Sequence, residues 1–228
     1  MNNMYEVKVS GLRAAANACA RASRHGLLAM FASDERAMNG GYAIYCLFDG
    51  DGPAGLVTVK GLLPAAGELE FPSLTPIIPA AAWYEREICD MFGLKPAGHP
   101  ELRPLVLHEN WPAGVHPLRK DFDPAQTVPA ADKPYPVLHA HGEGVFQVPV
   151  GPIHAGIIEP GHFRFSQAGE DIIRLEAKLF FTHRGIEKAA EGRTPEQAFP
   201  LVERICGVCS VSHALSFSQA LETMAAAV

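Results

Sequence analysis

The sequence has little of what would mark a secreted, membrane-spanning or nucleic-acid-binding protein. No apolar run approaches the roughly 20 residues that a bilayer crossing needs, so no transmembrane span is expected. The start, Met1-Asn2-Asn3-Met4-Tyr5-Glu6, has neither the basic region nor the apolar stretch of a secretory leader. Basic residues are outnumbered, 19 Lys plus Arg against 25 Asp plus Glu, which argues against a whole-domain footprint for nucleic acid. Cysteine is sparse: Cys19, Cys46, Cys89, Cys206 and Cys209 form an odd, scattered set and a poor disulfide framework. No Gly-x-Gly-x-x-Gly is read after a strand, so nothing in the sequence supports direct NAD binding. These absences point to a cytosolic or peripheral chain.

What is present is a folding composition. With 48% hydrophobic and 19% charged residues over 228 positions, the chain has material for one large domain or two modest ones. Proline is abundant but uneven. Pro124, Pro129, Pro134, Pro136, Pro149 and Pro152 fall within residues 121–152. Proline fixes φ and removes a backbone donor, so this stretch reads as an extended connector, and a domain boundary is placed near residue 135.

The first domain, 1–135, reads as α+β with an antiparallel sheet. An alanine-rich helix is expected over 11–24, strands over 27–31, 42–48 and 56–62, and a second helix over 79–91 that ends before Gly93. Asp49-Gly50-Asp51-Gly52 reads as the turn between the second and third strands. The second domain, 136–228, opens with a possible hairpin, 144–150 and 157–165. Ile172, Leu175, Leu179 and His183 then fall at spacings of three and four, the stripe of an amphipathic helix. Pro200 is expected to interrupt the next segment. The chain reads helical again from Ser212, with no packing partner evident for that last helix.

The close pair Cys206-Gly207-Val208-Cys209 admits several chemistries. It can be two buried small residues at a turn. It can be a redox pair, although residues 200–205 do not read as the strand such a motif follows. It can be a zinc site with His213, still one ligand short of a closed site. It can also be a soft-metal redox centre, since polarizable thiolates suit nickel and iron. Spacing alone does not choose among them.

The flanks carry a resemblance. The run Glu203-Arg204-Ile205-Cys206-Gly207-Val208-Cys209-Ser210-Val211-Ser212-His213-Ala214 resembles the N-terminal nickel-binding motif of nickel–iron hydrogenase large subunits. It looks most like the group 4, energy-converting, formate hydrogenlyase-type enzymes related to respiratory complex I. Residues 151–165, with Gly151-Pro152-Ile153-His154 and Glu159-Pro160-Gly161-His162, resemble the start of the same subunit, the counterpart of the complex I 49 kDa subunit. Residues 181–188 do so too. In the first domain, Trp83-Tyr84-Glu85-Arg86-Glu87-Ile88-Cys89-Asp90-Met91-Phe92-Gly93, continued by 98–105 and 116–122, resembles the complex I 30 kDa subunit.

The resemblance implies an oxidoreductase subunit that exchanges electrons with Fe–S clusters in a partner small subunit. Proton reduction to H2, or its reverse, would be coupled to membrane-arm subunits at the cytoplasmic face of the inner membrane. It implies Cys206 and Cys209 as thiolate ligands of a nickel–iron centre and Glu159 as a proton relay. His213 and Arg204 would support the metal from behind its ligands, and His154 reads as structural or as part of a proton route. Residues 85–90 read either as helix ion pairs at i,i+4 or as a docking segment. The family's site needs a second Cys-x-x-Cys, whereas this chain ends nineteen residues after Cys209 with no further cysteine. The expectation is a truncated hydrogenase domain, inactive by itself. The alternatives are a complex I-like quinone-reducing subunit, which the retained cysteines disfavour, a non-catalytic docking module, and a zinc-binding regulator.

Overall fold

The structure is a computed structural model that describes residues 3–50, 55–135, 137–155 and 158–225. The chain divides into two compact units, Met1–Phe181 and Thr182–Val228.

The first unit is built on a four-stranded sheet. Strand β1 (Asn3–Lys8) leads through a short 3-10 turn into helix α1 (Leu12–Ala22), followed by β2 (Leu27–Glu35), the single turn α2 (Arg36–Asn39), β3 (Gly41–Asp49) and β4 (Leu56–Pro64). The sheet order is β1-β4-β3-β2. The β2–β3 and β3–β4 pairs are antiparallel, and β1 runs parallel to β4. The three expected strands are all present, each longer than read. The parallel edge strand was not foreseen, because Met4-Tyr5-Glu6-Val7 is too short to show a clear alternation.

Alternation on β3 decides which face is the core. Tyr42, Ile44, Cys46 and Phe48 are buried. They face Met30 and Ala32 on β2 and Val59 and Leu63 on β4 through the cross-strand register. Helix α1 covers one side of this face with Leu12 and Ala16, Leu12 lying against Gly61. Burial pushes the Cys46 thiol up to about 12, so it serves as a small apolar residue. Contrary to expectation, a Gly-x-Gly-x-x-Gly spacing does follow a strand, at Gly50, Gly52 and Gly55 between β3 and β4, but it leads into no helix, the wrong setting for a dinucleotide turn. Residues 51 and 52 of the expected turn lie outside the described residues.

Helix α3 (Ala82–Phe92) covers the rest of the core. It is entered by a 3-10 turn at Pro79–Ala81 and connects two short parallel strands, β5 (Glu70–Pro72) and β6 (Lys95–Ala97). Parallel pairing needs such a crossover. The helix stops at Gly93, whose φ of 70° places it in the left-handed region. A side chain there would also collide with His116 Nε2, 2.4 Å from an ideal Cβ, and with the Arg119 guanidinium at 2.7 Å.

From residue 98 to 144 the described chain forms neither helix nor strand, in keeping with its prolines. A three-stranded antiparallel sheet follows: β7 (Val145–Val150), β8 (His162–Ala168) and β9 (Asp171–Lys178). The hairpin is thus present with a later second strand, and residue 157 lies outside the described residues. The expected helix through Ile172, Leu175, Leu179 and His183 is overturned. Residues 171–178 are strand β9, and His183 lies beyond it, after a turn at 181–182. The same residues also alternate, with Arg174, Glu176 and Lys178 on one face. The tight turn at Gly169 hands β8 directly to β9 before a helix can nucleate.

This sheet is fastened to the loop 101–109. Arg103 pairs with Glu176 at 2.8 Å, Lys178 with Glu109 at 2.6 Å, and His108 Nε2 meets the Leu179 carbonyl at 2.6 Å. Tyr135 of the proline-rich segment sits between the two cations, its ring 5.6 Å from Arg103 and 4.8 Å from Lys178.

The second unit is helical: α4 (Ile186–Ala190), α5 (Pro195–Val202) and α6 (Ser210–Ala225). Thr194 and Gln197 form a reciprocal capping box that starts α5. Pro200 does not interrupt this helix but lies within it. In eight residues a missing N–H forfeits a single helical bond. The last helix does find a partner, since Phe217 of α6 packs on Phe199 of α5 at 6.3 Å.

Candidate metal centre

Cys206 and Cys209 lie on the loop between α5 and α6, the first half-buried and the second exposed. Two features shape that loop. The Arg184 guanidinium donates to the Ile205 carbonyl at 3.2 Å, and Arg204 folds back to the Pro200 carbonyl at 2.6 Å. Cys209 immediately precedes α6, and its carbonyl accepts the His213 N–H at 3.0 Å. His213 is therefore half-buried in the first turn of α6, one turn after Cys209. The loop thus offers two soft donors on a short tether, with two arginines bonding carbonyls on its upstream side.

The donor set fits half of a nickel–iron centre. Thiolates are the ligands that soft metals take, and a two-residue gap on a loop suits a shared ion. Among the described residues, however, no three His, Cys, Asp or Glu side chains gather where a metal could be held. The expected zinc trio of Cys206, Cys209 and His213 accordingly does not converge. As it stands, the loop does not fit a complete site.

The other expected residues lie in the first unit. Glu159 is exposed in the loop between β7 and β8. That loop is drawn closed by two histidines. His154 Nε2 meets the Gly161 carbonyl at 2.7 Å, and His162 Nδ1 meets the Gly151 carbonyl at 3.1 Å. At Gly151, with φ 78°, any side chain would strike the Gly161 carbonyl. His154 is thus a structural pin of this loop.

Helix α3 shows what sequence reasoning missed. Its side chains Glu85, Arg86 and Asp90 each hold a separate segment outside the helix. Glu85 is fully buried and accepts from the hydroxyls of Ser73 and Thr75, each at 2.6 Å, and from the Leu74 N–H. Arg86 donates to the carbonyls of Arg103 and Pro104 at 2.9 and 3.1 Å. One oxygen of Asp90 accepts the N–H groups of Leu105, Val106 and Leu107. At the end of the helix, Arg119 reaches the Phe92 carbonyl at 2.7 Å and His116 the Asp90 carbonyl at 2.8 Å. Burial pulls His116 below the usual histidine range.

Residues 116–121 are held from the sheet side too. Asp34 accepts from Arg36 at 2.6 Å and from the Lys120 N–H at 2.8 Å, and Arg36 continues to Asp121 at 2.9 Å. Burial opposes ionisation of Asp34, but Arg36 and these backbone donors outweigh it and hold the carboxyl at about 2. A run of polar residues at 116–122 between two glycine- and proline-rich stretches was the available signal. Its partners, more than eighty residues upstream, were not visible in the sequence.

Comparison with known proteins assigns these two regions to two families. The family described as respiratory-chain NADH dehydrogenase, 30 Kd subunit, matches residues 5–128, over half of the chain, including all of α3 and the segments it holds. The chain belongs to that family. A second family, nickel-dependent hydrogenase, matches residues 184–227 and so spans Cys206 and Cys209.

Among curated proteins, hydrogenase-4 component G of Escherichia coli (strain K12) is 41% identical over 198 residues, 85% of this chain and 36% of that protein. Formate hydrogenlyase subunit 5 of the same organism is 41% identical over 205 residues, 86% of this chain and 35% of that one. The fused C/D component of the NADH-quinone oxidoreductase of Bacteroides thetaiotaomicron is 32% identical over 155 residues, 60% of this chain and 29% of that one. A solved structure, Nqo5 of the trypsin-resistant fragment (1-134), shares 19% identity at a TM-score of 0.39 over 44% of this chain and 83% of that one. The 30 kDa-family chain thus spans about a third of the length of the curated relatives it matches. The order of its two family matches fits a fused subunit of the group 4 hydrogenase type.

Proposed function

We propose that this 30 kDa-family chain is the N-terminal part of a hydrogenase-type oxidoreductase subunit, in which residues 1–135 dock and residues 136–228 begin the metal-bearing domain. The observation that carries the reading is a Cys-x-x-Cys loop opening a helix inside a nickel-dependent hydrogenase match, downstream of a 30 kDa-family domain on the same chain. In this reading Cys206 and Cys209 supply two thiolates to a nickel–iron centre, and a further pair comes from sequence beyond this chain. When bound, such a centre supplies H2 chemistry. Such a centre would exchange electrons with Fe–S clusters in a partner small subunit, and the complex would rest on membrane-arm subunits at the cytoplasmic face of the inner membrane. Among the described residues no helix is long and apolar enough to cross a membrane, so attachment would run through those partners.

The roles of this chain's own residues follow from their chemistry. Cys206 and Cys209 bind as deprotonated thiolates, and binding therefore releases protons. His213, one helical turn on, orients the loop through hydrogen bonds and so tunes ligand basicity. Arg204, which here folds back to the Pro200 carbonyl, would lower the cost of keeping the thiolates ionised if it turned toward them in the assembled domain. Glu159 carries protons toward solvent, for which it must come within hydrogen-bond reach of the site in the assembled domain.

The reading is tested by metal analysis. The chain is purified alone and after co-expression with the remaining two thirds of formate hydrogenlyase subunit 5 and its maturation machinery. Stoichiometric nickel is expected only in the assembly, and Cys206→Ser or Cys209→Ser removes it. Stoichiometric nickel on the chain alone sinks the half-site reading, and nickel that ignores both substitutions sinks the ligand assignment.

A further inference from the structure

The sheet β7-β8-β9 has its faces reversed relative to an ordinary packed sheet. In an antiparallel sheet the apolar face normally turns to the core and the polar face to water. Here the packed face is polar. Arg164 pairs in register with Glu176 and His162 with Lys178, and Glu176 and Lys178 join the first domain through Arg103 and Glu109. The opposite face is apolar and open. Val148, Phe165 and Leu175 are direct cross-strand neighbours, as are Val150 and Phe163. Phe146 at 47%, Leu175 at 53% and Ile172 at 57% remain exposed to solvent.

No charged residue shares this face in the register. That excludes nucleic acid and an anionic lipid surface as its natural cover, since both need cations. A face without charge and rich in phenylalanine has the make-up of the core of a permanent interface, which resembles a domain interior cut in half. Contiguous apolar surface of this kind is uncommon on a free monomer. The curated relatives that match both regions are about three times longer than the matched stretch. They therefore carry a large body of polypeptide able to cover the sheet.

We infer that the apolar face of β7-β8-β9 is the seat for the remaining part of the hydrogenase-type domain, the polypeptide corresponding to the unmatched two thirds of formate hydrogenlyase subunit 5. This rests on the functional reading above and gives it a location. The same sheet is latched to the 30 kDa-family domain on its polar side. It would thereby be the rigid layer that sets where the remainder sits relative to the docking domain.

The test is co-purification of the tagged chain with that remainder of subunit 5, expressed in trans. The parent chain retains it, and Leu175→Glu and Phe146→Ser each weaken retention about tenfold or more. Arg174→Ala, on the polar face, leaves it unchanged. Far-ultraviolet circular dichroism shows that the variants, altered only at exposed positions, keep their fold. Retention unaffected by both apolar-face substitutions overturns the inference and leaves the functional reading standing. A parent chain that binds neither the remainder nor the Fe–S small subunit overturns both. Mass that rises with concentration and is abolished by Leu175→Glu assigns the face to a second copy. Flotation with neutral vesicles assigns it to lipid. Either result overturns the inference.

Discussion

Helix α3 and the loop at Cys206 are both dense in chemistry-bearing residues, and they differ in where their partners lie. Buried Glu85 and Arg86 and half-buried Asp90 bond to partners within the chain at fixed distances. Cys206 and Cys209 stand half-buried and exposed on a loop that gathers no third ligand among the described residues. The first region is a finished structural joint. The second is a pair of soft donors on a surface loop. A run of charged residues in sequence is therefore a poor guide to catalysis until its partners are located.

The comparison can be broken at its strongest point first. Glu85→Ala strips two hydroxyls and an amide of their buried acceptor and is expected to destabilise the first unit by about 3–5 kcal/mol. The urea midpoint measures this, and a loss under about 1 kcal/mol would deny Glu85 its joint-making role. Gly93→Ala follows at about 3 kcal/mol, combining left-handed strain with the collision at His116 and Arg119.

Acid probes the same joint without mutation. Asp34 titrates near 2 when folded, against an ordinary 3.8. Its contribution of about 2 kcal/mol is present above pH ~4 and lost as pH falls toward 2. His116, depressed by burial, adds an earlier loss, because the unfolded state takes up its proton first as pH drops through about 6.5. Thermal melts from about pH 8 to 3 should show a plateau and then two declines, with the first missing in His116→Gln. The smallest effect is expected at the loop. Cys206→Ser and Cys209→Ser should each move the stability of the chain by less than about 0.5 kcal/mol, while removing nickel from the assembled domain. A large stability loss would make the pair structural.

Much of the first domain was legible because its elements carry local signals. The helix at 12–22 declares itself by alanine, the strands at β3 and β4 by their β-branched and aromatic runs, and the stop at Gly93 by glycine. Strand β9 was misread because Ile172, Leu175 and Leu179 fall at helical spacing, while the competing alternation of Arg174, Glu176 and Lys178 gains its force only from the turn at Gly169 and the β8 register. The roles of Glu85 and Asp90 were illegible for a different reason. Their partners are hydroxyls and backbone amides of loops, which leave no charge pattern to match. At the cysteine loop the sequence pointed to two candidate donors, and three-dimensional placement adds that no third ligand gathers with them among the described residues.

The parallel edge strand has a consequence for the order of assembly. Asn3 pairs with Val57 and Lys8 with Leu62, so β1 leaves the ribosome long before its partner exists. The hairpins β2–β3 and β3–β4 can close as soon as they emerge, whereas β1 must wait for the sheet and then dock against its finished edge. Until then Met4, Tyr5 and Val7 form an unprotected β-prone segment of the nascent chain. During synthesis, this first strand is the part of the domain most open to capture by chaperones or by the edge of a neighbouring chain.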